Sequence, residues 1–177
     1  MKATNYLIQE HKIILRSLGV LDAISALIEE TGKAEERDVD KILDFLRWFA
    51  DAHHQAKEET ILFPALKDAA VSQGRSVEHM TLEHDQERAL IEDMEKDLRL
   101  TKLAEFVACA TRLSSTLRNH IYKEDHILFE TVDAVLSPGE DDALLERLSR
   151  FDTTLDKEVL EEKLEGLRSL EWKYLRR

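Results

Sequence analysis

From Leu7 onward, apolar residues recur as Leu7, Ile14, Leu18, Leu21 and Leu27, with Ile8, Leu15 and Ile24 beside them. Spacing by threes and fours gathers such residues into one stripe on a helix, predicted here from Thr4 to Glu30. Thr31-Gly32 supplies a positive-φ stop. Asp38 is expected to cap a second helix carrying Ile42, Phe45, Leu46 and Phe49. Pro64 lacks the N–H that an interior helical position needs, so that helix should end or kink there. Gly74 and Ser76 mark the next start, with a third helix over Met80 to Leu98. Thr101 is expected to cap a fourth, running through Phe106, Leu113, Leu117 and Ile121 toward Val135.

Ser137-Pro138-Gly139-Glu140 reads as a cap, a proline at the first helical position and a capping-box glutamate. It opens an amphipathic region with Leu144, Leu148, Phe151, Leu155 and Val159, expected to cover the bundle, form a homodimer seam, or both, and to carry no chemistry of its own. Short connections make consecutive helices antiparallel neighbours. The prediction is an all-α, up-down-up-down four-helix bundle over residues 1–136, with residues 137–177 as a C-terminal helical extension of the same domain.

Composition narrows the function classes. With 177 residues the chain suits one domain, and Gly 5 with Pro 2 supplies too few turns for a sandwich or barrel. A net charge of −12 argues against nucleic acid, which a protein binds with excess Lys and Arg. The lone Cys109 has no disulfide partner within the chain, and MKATNYLIQEH contains no apolar signal core, so a cytoplasmic location is expected. Apolar runs fall well short of the roughly 20 residues needed to cross a bilayer.

The chemistry lies in a repeat. Residues 54–63 read HQAKEETILF and residues 120–129 read HIYKEDHILF, identical at six of ten positions. Each copy follows a Glu-His pair on the preceding helix, Glu10-His11 and Glu83-His84. Four-residue spacing puts His54 and Glu58 on one helix face, roughly 6 Å apart along the axis, and likewise His120 and Glu124. Counted from the intervening turns, His11 stands at the height of His54 and His84 at that of His120, so all six groups can converge. Burying four imidazoles and two carboxylates without a cation is costly. The set suits two metal ions, each with two imidazoles and an oxygen from each glutamate, leaving positions for a bridging oxygen and an exogenous ligand. Imidazole with carboxylate favours iron, while manganese and zinc remain compatible with the residue types.

The pattern Glu-His, HHxxKEE-ILFPAL, Glu-His, HxxKED-ILF resembles the hemerythrin-like (HHE cation-binding) family over about residues 4–136. The resemblance implies a four-helix bundle with a non-haem di-iron centre, two iron ions bridged by oxo or hydroxo, held by His11, His54, Glu58, His84, His120 and Glu124. It implies binding of a small ligand, O2, NO or peroxide, at an open iron position for sensing, storage or detoxification. Alternatives are a di-iron redox enzyme (peroxidase, catalase-like or NO reductase) and an iron-responsive interaction module. Animal oxygen carriers of this family add a histidine where Arg88 stands, which weakens oxygen transport as the role. The ExxH motif of ferritin-like di-iron carboxylate proteins is missing before every histidine.

The remaining polar residues have plainer readings. His53 points about 100° away from His54, as an outer donor or toward solvent; His79 and His126 read as surface residues. Lys57 and Lys123 read as solvated partners of nearby acids. Glu87, one turn from His84, reads as a partly exposed charge or as an additional carboxylate near the metals. Tyr6 and Tyr122 fit ring packing or a ligand channel, and Cys109 fits packing.

Overall fold

The computed structural model describes residues 1–68 and 74–176, with the backbone alone described at 67, 68 and 74–76. Among these residues every regular element is helical. Helix α1 spans Ala3–Thr31, and Gly32 ends it in the left-handed region at φ 65°, its N–H on the Ile28 carbonyl at 2.8 Å. A Cβ is disfavoured in that conformation, which is why glycine stands there. Helix α2 runs unbroken over 36–68, α3 over Gly74–Arg99 and α4 over 103–135. Helices α5 (Pro138–Thr153) and α6 (Lys157–Tyr174) follow. The turn expected before Gly74 falls on residues 69–73, outside the described residues.

Three local expectations are corrected. Asp38 caps nothing: α2 begins at Glu36, and the buried Asp38 carboxylate instead accepts from Tyr174 Oη at 2.7 Å and from Lys173, both on α6. Pro64 does not end α2. The chain passes through it behind a π-helical turn, Glu58–Leu62, where the Phe63 N–H reaches five residues back to the Glu58 carbonyl. The same wide turn occurs at Glu124–Leu128, with the Phe129 N–H on the Glu124 carbonyl, although Glu130 occupies the position matching Pro64. The wide turn therefore does not depend on the proline; α2 carries a further π-helical stretch, Leu46–Gln55, with His53 and His54 on it, and such geometry concentrates at functional sites. Thr101, finally, belongs to the end of α3. It takes φ 57°, its N–H bonds Leu98 O at 3.0 Å, and the Lys102 N–H bonds Asp97 O at 2.8 Å, a Schellman closure with a β-branched residue in the left-handed position.

Apolar side chains form two clusters with a polar layer between them. One holds Ile14, Leu18, Leu21, Ile42, Phe45, Phe49, Met94, Phe106, Leu113 and Ile121. The other holds Ala3, Leu7, Leu62, Phe63, Met80, Leu128, Phe129 and Val132. Along α1 the crossing from one to the other falls between Leu7 and Ile14, along α2 between Ala50 and Ile61, and along α4 between Ile121 and Leu128. Each crossing overlaps a repeat motif or contains a Glu-His pair. The apolar pattern thus sets the depth of the polar layer.

The extension covers its own bundle. Leu144 and Leu148 of α5 join the second cluster, each burial stabilising by about 2 kcal/mol, and the capping box at Ser137 and Glu140 fixes where α5 starts. Asp141 accepts from the Ala3 N–H at 3.1 Å. Leu167, Leu170 and Tyr174 of α6 join the first cluster, and Glu171 takes a two-pronged bond from Arg16 on α1. Among the described residues no helix is long and apolar enough to cross a membrane.

Candidate metal centre

The structure brings His11, His54, Glu58, His84, His120 and Glu124 into the polar layer, every one buried. They form two overlapping groups whose facing atoms lie within 4.8 Å of one another: a first bay of His11, His54, Glu58 and Glu124, and a second of Glu58, His84, His120 and Glu124. Both carboxylates belong to both bays. His11 Nε2 lies 3.2 Å and His120 Nε2 3.3 Å from Glu124 Oε2. His54 Nε2 and His84 Nε2 each stand 3.5 Å from a different oxygen of Glu58.

All four imidazoles point the same ring edge inward because a carboxylate holds the other. His11 Nδ1 donates to Asp125 (2.7 Å), His54 Nδ1 to Glu10 (2.9 Å), His84 Nδ1 to Glu59 (2.7 Å) and His120 Nδ1 to Glu83 (2.8 Å). A carboxylate only accepts, so each Nδ1 carries a proton, and a ring that gives up its Nε2 proton presents that lone pair to a cation. His84 Nε2 and His120 Nε2 face each other at 3.1 Å.

Nearly every shared position of the repeat has a contact to explain it. Lys57 binds Glu10, and Lys123 binds Glu83. Glu59 and Asp125, one residue after each central glutamate, orient His84 and His11. Phe63 and Phe129 stack on those same two rings, at 5.9 and 5.5 Å between centroids. Each motif thus grips one neighbouring helix with its histidine and lysine, and the other with its second acid and phenylalanine.

The donor set fits a cation. Both oxygens of Glu58, both of Glu124 and His11 Nε2 are buried without a hydrogen-bond partner. Unpaired buried carboxylates cost several kcal/mol each, and positive charge between them removes that cost. Protons compete for the same place. Burial opposes charge on His11, but Asp125 and Glu124 outweigh it and hold its pKa at about 10. Burial likewise opposes charge on His84, which Glu58 and Glu59 raise to about 9. His54 goes the other way, pushed by burial to about 3.

Several side chains differ from expectation. Lys57 is not solvated; its ammonium is fully buried between Glu10 and Asp152, whereas the side chain of Lys123 stays 22% exposed. His53 is buried, with Nε2 3.2 Å from Glu10 Oε1 and 3.1 Å from Asp152 Oδ1. Glu87 is buried too, accepting from Gln55 Nε2 at 2.6 Å, and burial raises its pKa to about 7. Tyr6 donates to Asp152, while Tyr122 lies exposed. The extension therefore does reach the site, through Asp152, a residue that sequence spacing did not single out. The matched positions of Lys57 with Lys123 and of Glu59 with Asp125 were the signal available. His79 and His126 are exposed, and Cys109 packs partly buried against the core.

Fold and site together define a helical-bundle cation-binding protein. The family model for the hemerythrin HHE cation binding domain matches residues 2–132, and the chain belongs to that family. Comparison with curated proteins finds no match.

Proposed function

We propose that the protein is a non-haem di-iron protein that binds a small ligand, O2, NO or peroxide, at an open iron position, for sensing, storage or detoxification in the cytoplasm. One observation carries the reading: two four-residue bays share both buried carboxylates, whose four oxygens have no hydrogen-bond partner among the described residues and face the inward histidine nitrogens. His11 and His54 would hold one ion, His84 and His120 the other, with Glu58 and Glu124 spanning both. Imidazole with carboxylate suits iron among the common divalent metals. Bound iron would supply reversible electron exchange and a vacant position for the ligand.

The chain's own residues do the rest. Asp125, Glu10, Glu59 and Glu83 set the ring orientations, and Phe63, Phe129, Leu62 and Leu128 keep water from one side of the layer. The up-down-up-down course is supported by pairs whose numbers run in opposite senses. Thr4 meets Asp133 and Asp22 meets Arg118 between α1 and α4; Glu59 meets Arg88 and Arg47 meets Glu95 between α2 and α3.

A redox-enzyme reading draws on Glu87. This buried carboxyl interacts electrostatically with His120, His84 and Glu124, and in the metal-free protein burial raises its pKa to about 7, which places a proton-carrying group beside the second bay. Metal analysis of protein folded with iron should find two ions per chain, and His54→Ala should leave one. A metal-free preparation under iron excess sinks the reading. An oxygen-dependent spectral change reversed by argon supports a carrier. Consumption of many equivalents of peroxide or NO, reduced in Glu87→Gln, supports the enzyme instead.

A further inference from the structure

The two bays are built from matching ligands but differ in the charges behind them, and the Glu10 corner is the one that a residue of the extension reaches. Glu83, which orients His120, is held by Lys123 on α4 of the bundle itself. Glu10, which orients His54, is held by Lys57 and approached by His53. Both of these meet Asp152 in the last turn of α5: Oδ1 lies 2.8 Å from Lys57 Nζ and 3.1 Å from His53 Nε2, and Oδ2 accepts from Tyr6. Glu10, His53 and Asp152 together would satisfy the geometry of a third cation site. The Lys57 ammonium already contacts both acids, so the positive charge there is the protein's own.

We propose that α5 is a strap for the first bay alone, with Asp152 as a positioning residue that acts through Lys57 and Glu10 on His54. The chain of contacts is continuous. Asp152 fixes the Lys57 ammonium, Lys57 fixes Glu10 Oε1, and Glu10 Oε2 accepts the hydrogen bond from His54 Nδ1–H. A carboxylate behind a ligating imidazole sets its orientation and basicity, and removing such a partner costs about 10- to 100-fold in metal affinity. The strap is fastened at its other end by the Ser137 capping box, by Asp141 on the Ala3 N–H, and by Leu144 and Leu148 in the core. The second bay has its Glu-Lys pair and, among the described residues, none of the extension behind it.

This inference rests on the proposed metal ligation, so the test reads the strap with and without metal. In the full-length chain, Asp152→Asn keeps the shape and removes the charge, and Asp152→Glu serves as the charge-retaining rescue. Iron release to a chelator is followed in two backgrounds, His120→Ala, which leaves the first bay, and His54→Ala, which leaves the second. Asp152→Asn should speed release about 10-fold in the first background and leave the second unchanged, and Asp152→Glu should restore slow release. Equal release in both backgrounds, changed or unchanged, overturns the strap. In the metal-free protein, Asp152→Asn should shift the His54 Nδ1–H proton resonance and spare that of His120; coincident spectra also overturn it. If the wild type holds no iron while Asp152→Asn still gives the selective shift, the metal reading sinks and the strap stands.

Discussion

The halves around His54 and His120 carry the same motif and solve the same problem with different security. In the second, Lys123 lies 22% exposed over Glu83, while Glu59 is backed by Arg88, itself tied to Asp51 at 2.7 Å. In the first, Lys57 is fully buried and depends on an acid from another part of the chain, while Asp125 alone holds His11 Nδ1. Duplicated ligand positions therefore do not make equivalent sites. What differs is which charges stand behind the ligands, and how far from water they are kept.

The comparison breaks most completely where the halves share atoms. Glu58→Ala or Glu124→Ala should take iron content from two ions per chain to none or a weakly held trace, whereas His126→Ala should leave it at two; metal analysis after desalting decides. Iron removal should lower the melting temperature by about 10 °C, since saturation a thousandfold above Kd is worth about 4 kcal/mol and each kcal/mol shifts a domain of this size by roughly 2–4 °C. Identical melting curves with and without iron would remove the metal from the fold's energetics.

Next in size is the contrast between the lysines. Lys57→Met leaves Glu10 and Asp152 without their shared cation and should cost about 3 kcal/mol in urea unfolding; Lys123→Met, partly open to solvent, should cost about 1 kcal/mol. Equal losses would mean that burial does not separate the halves.

The pH dependence of the metal-free protein sets His54 apart from the other ligating imidazoles. His54, depressed to about 3, contributes stability that is full above its unfolded value near 6.5 and is lost as pH falls toward 3. His11 and His84, raised to about 10 and 9, contribute stability that is full below 6.5 and is lost as pH climbs through those values. The urea midpoint should therefore peak near pH 6.5. Iron should abolish the alkaline decline, because the cation replaces those protons. The smallest effect lies outside both bays: Thr101→Gly should relieve left-handed strain and add about 1 kcal/mol without changing iron content.

Much of the site was legible in the linear pattern because helical spacing is a local property. HxxxE fixes the angle between His54 and Glu58 around their own axis, and repetition at His120 and Glu124 makes coincidence a poor explanation. The wide turns after both glutamates were not legible: the sequence offered only an end or kink at Pro64, and the second turn has no proline. Asp38 and Thr101 looked like caps because their residue types suit caps. One was claimed by Lys173 and Tyr174 across the molecule, the other by the closing turn of α3.

The amino-acid order determined the helices and the inward set of imidazoles and acids, since each follows from periodicity along a single rod. Only tertiary packing decided that Lys57 would be sealed from water, that Glu87 would be buried against Gln55, and that Asp152 would come to stand behind the first bay. Those outcomes depend on charges meeting from helices far apart in the chain, and Asp152 and Lys57 are 95 residues apart. No local spacing encodes that encounter.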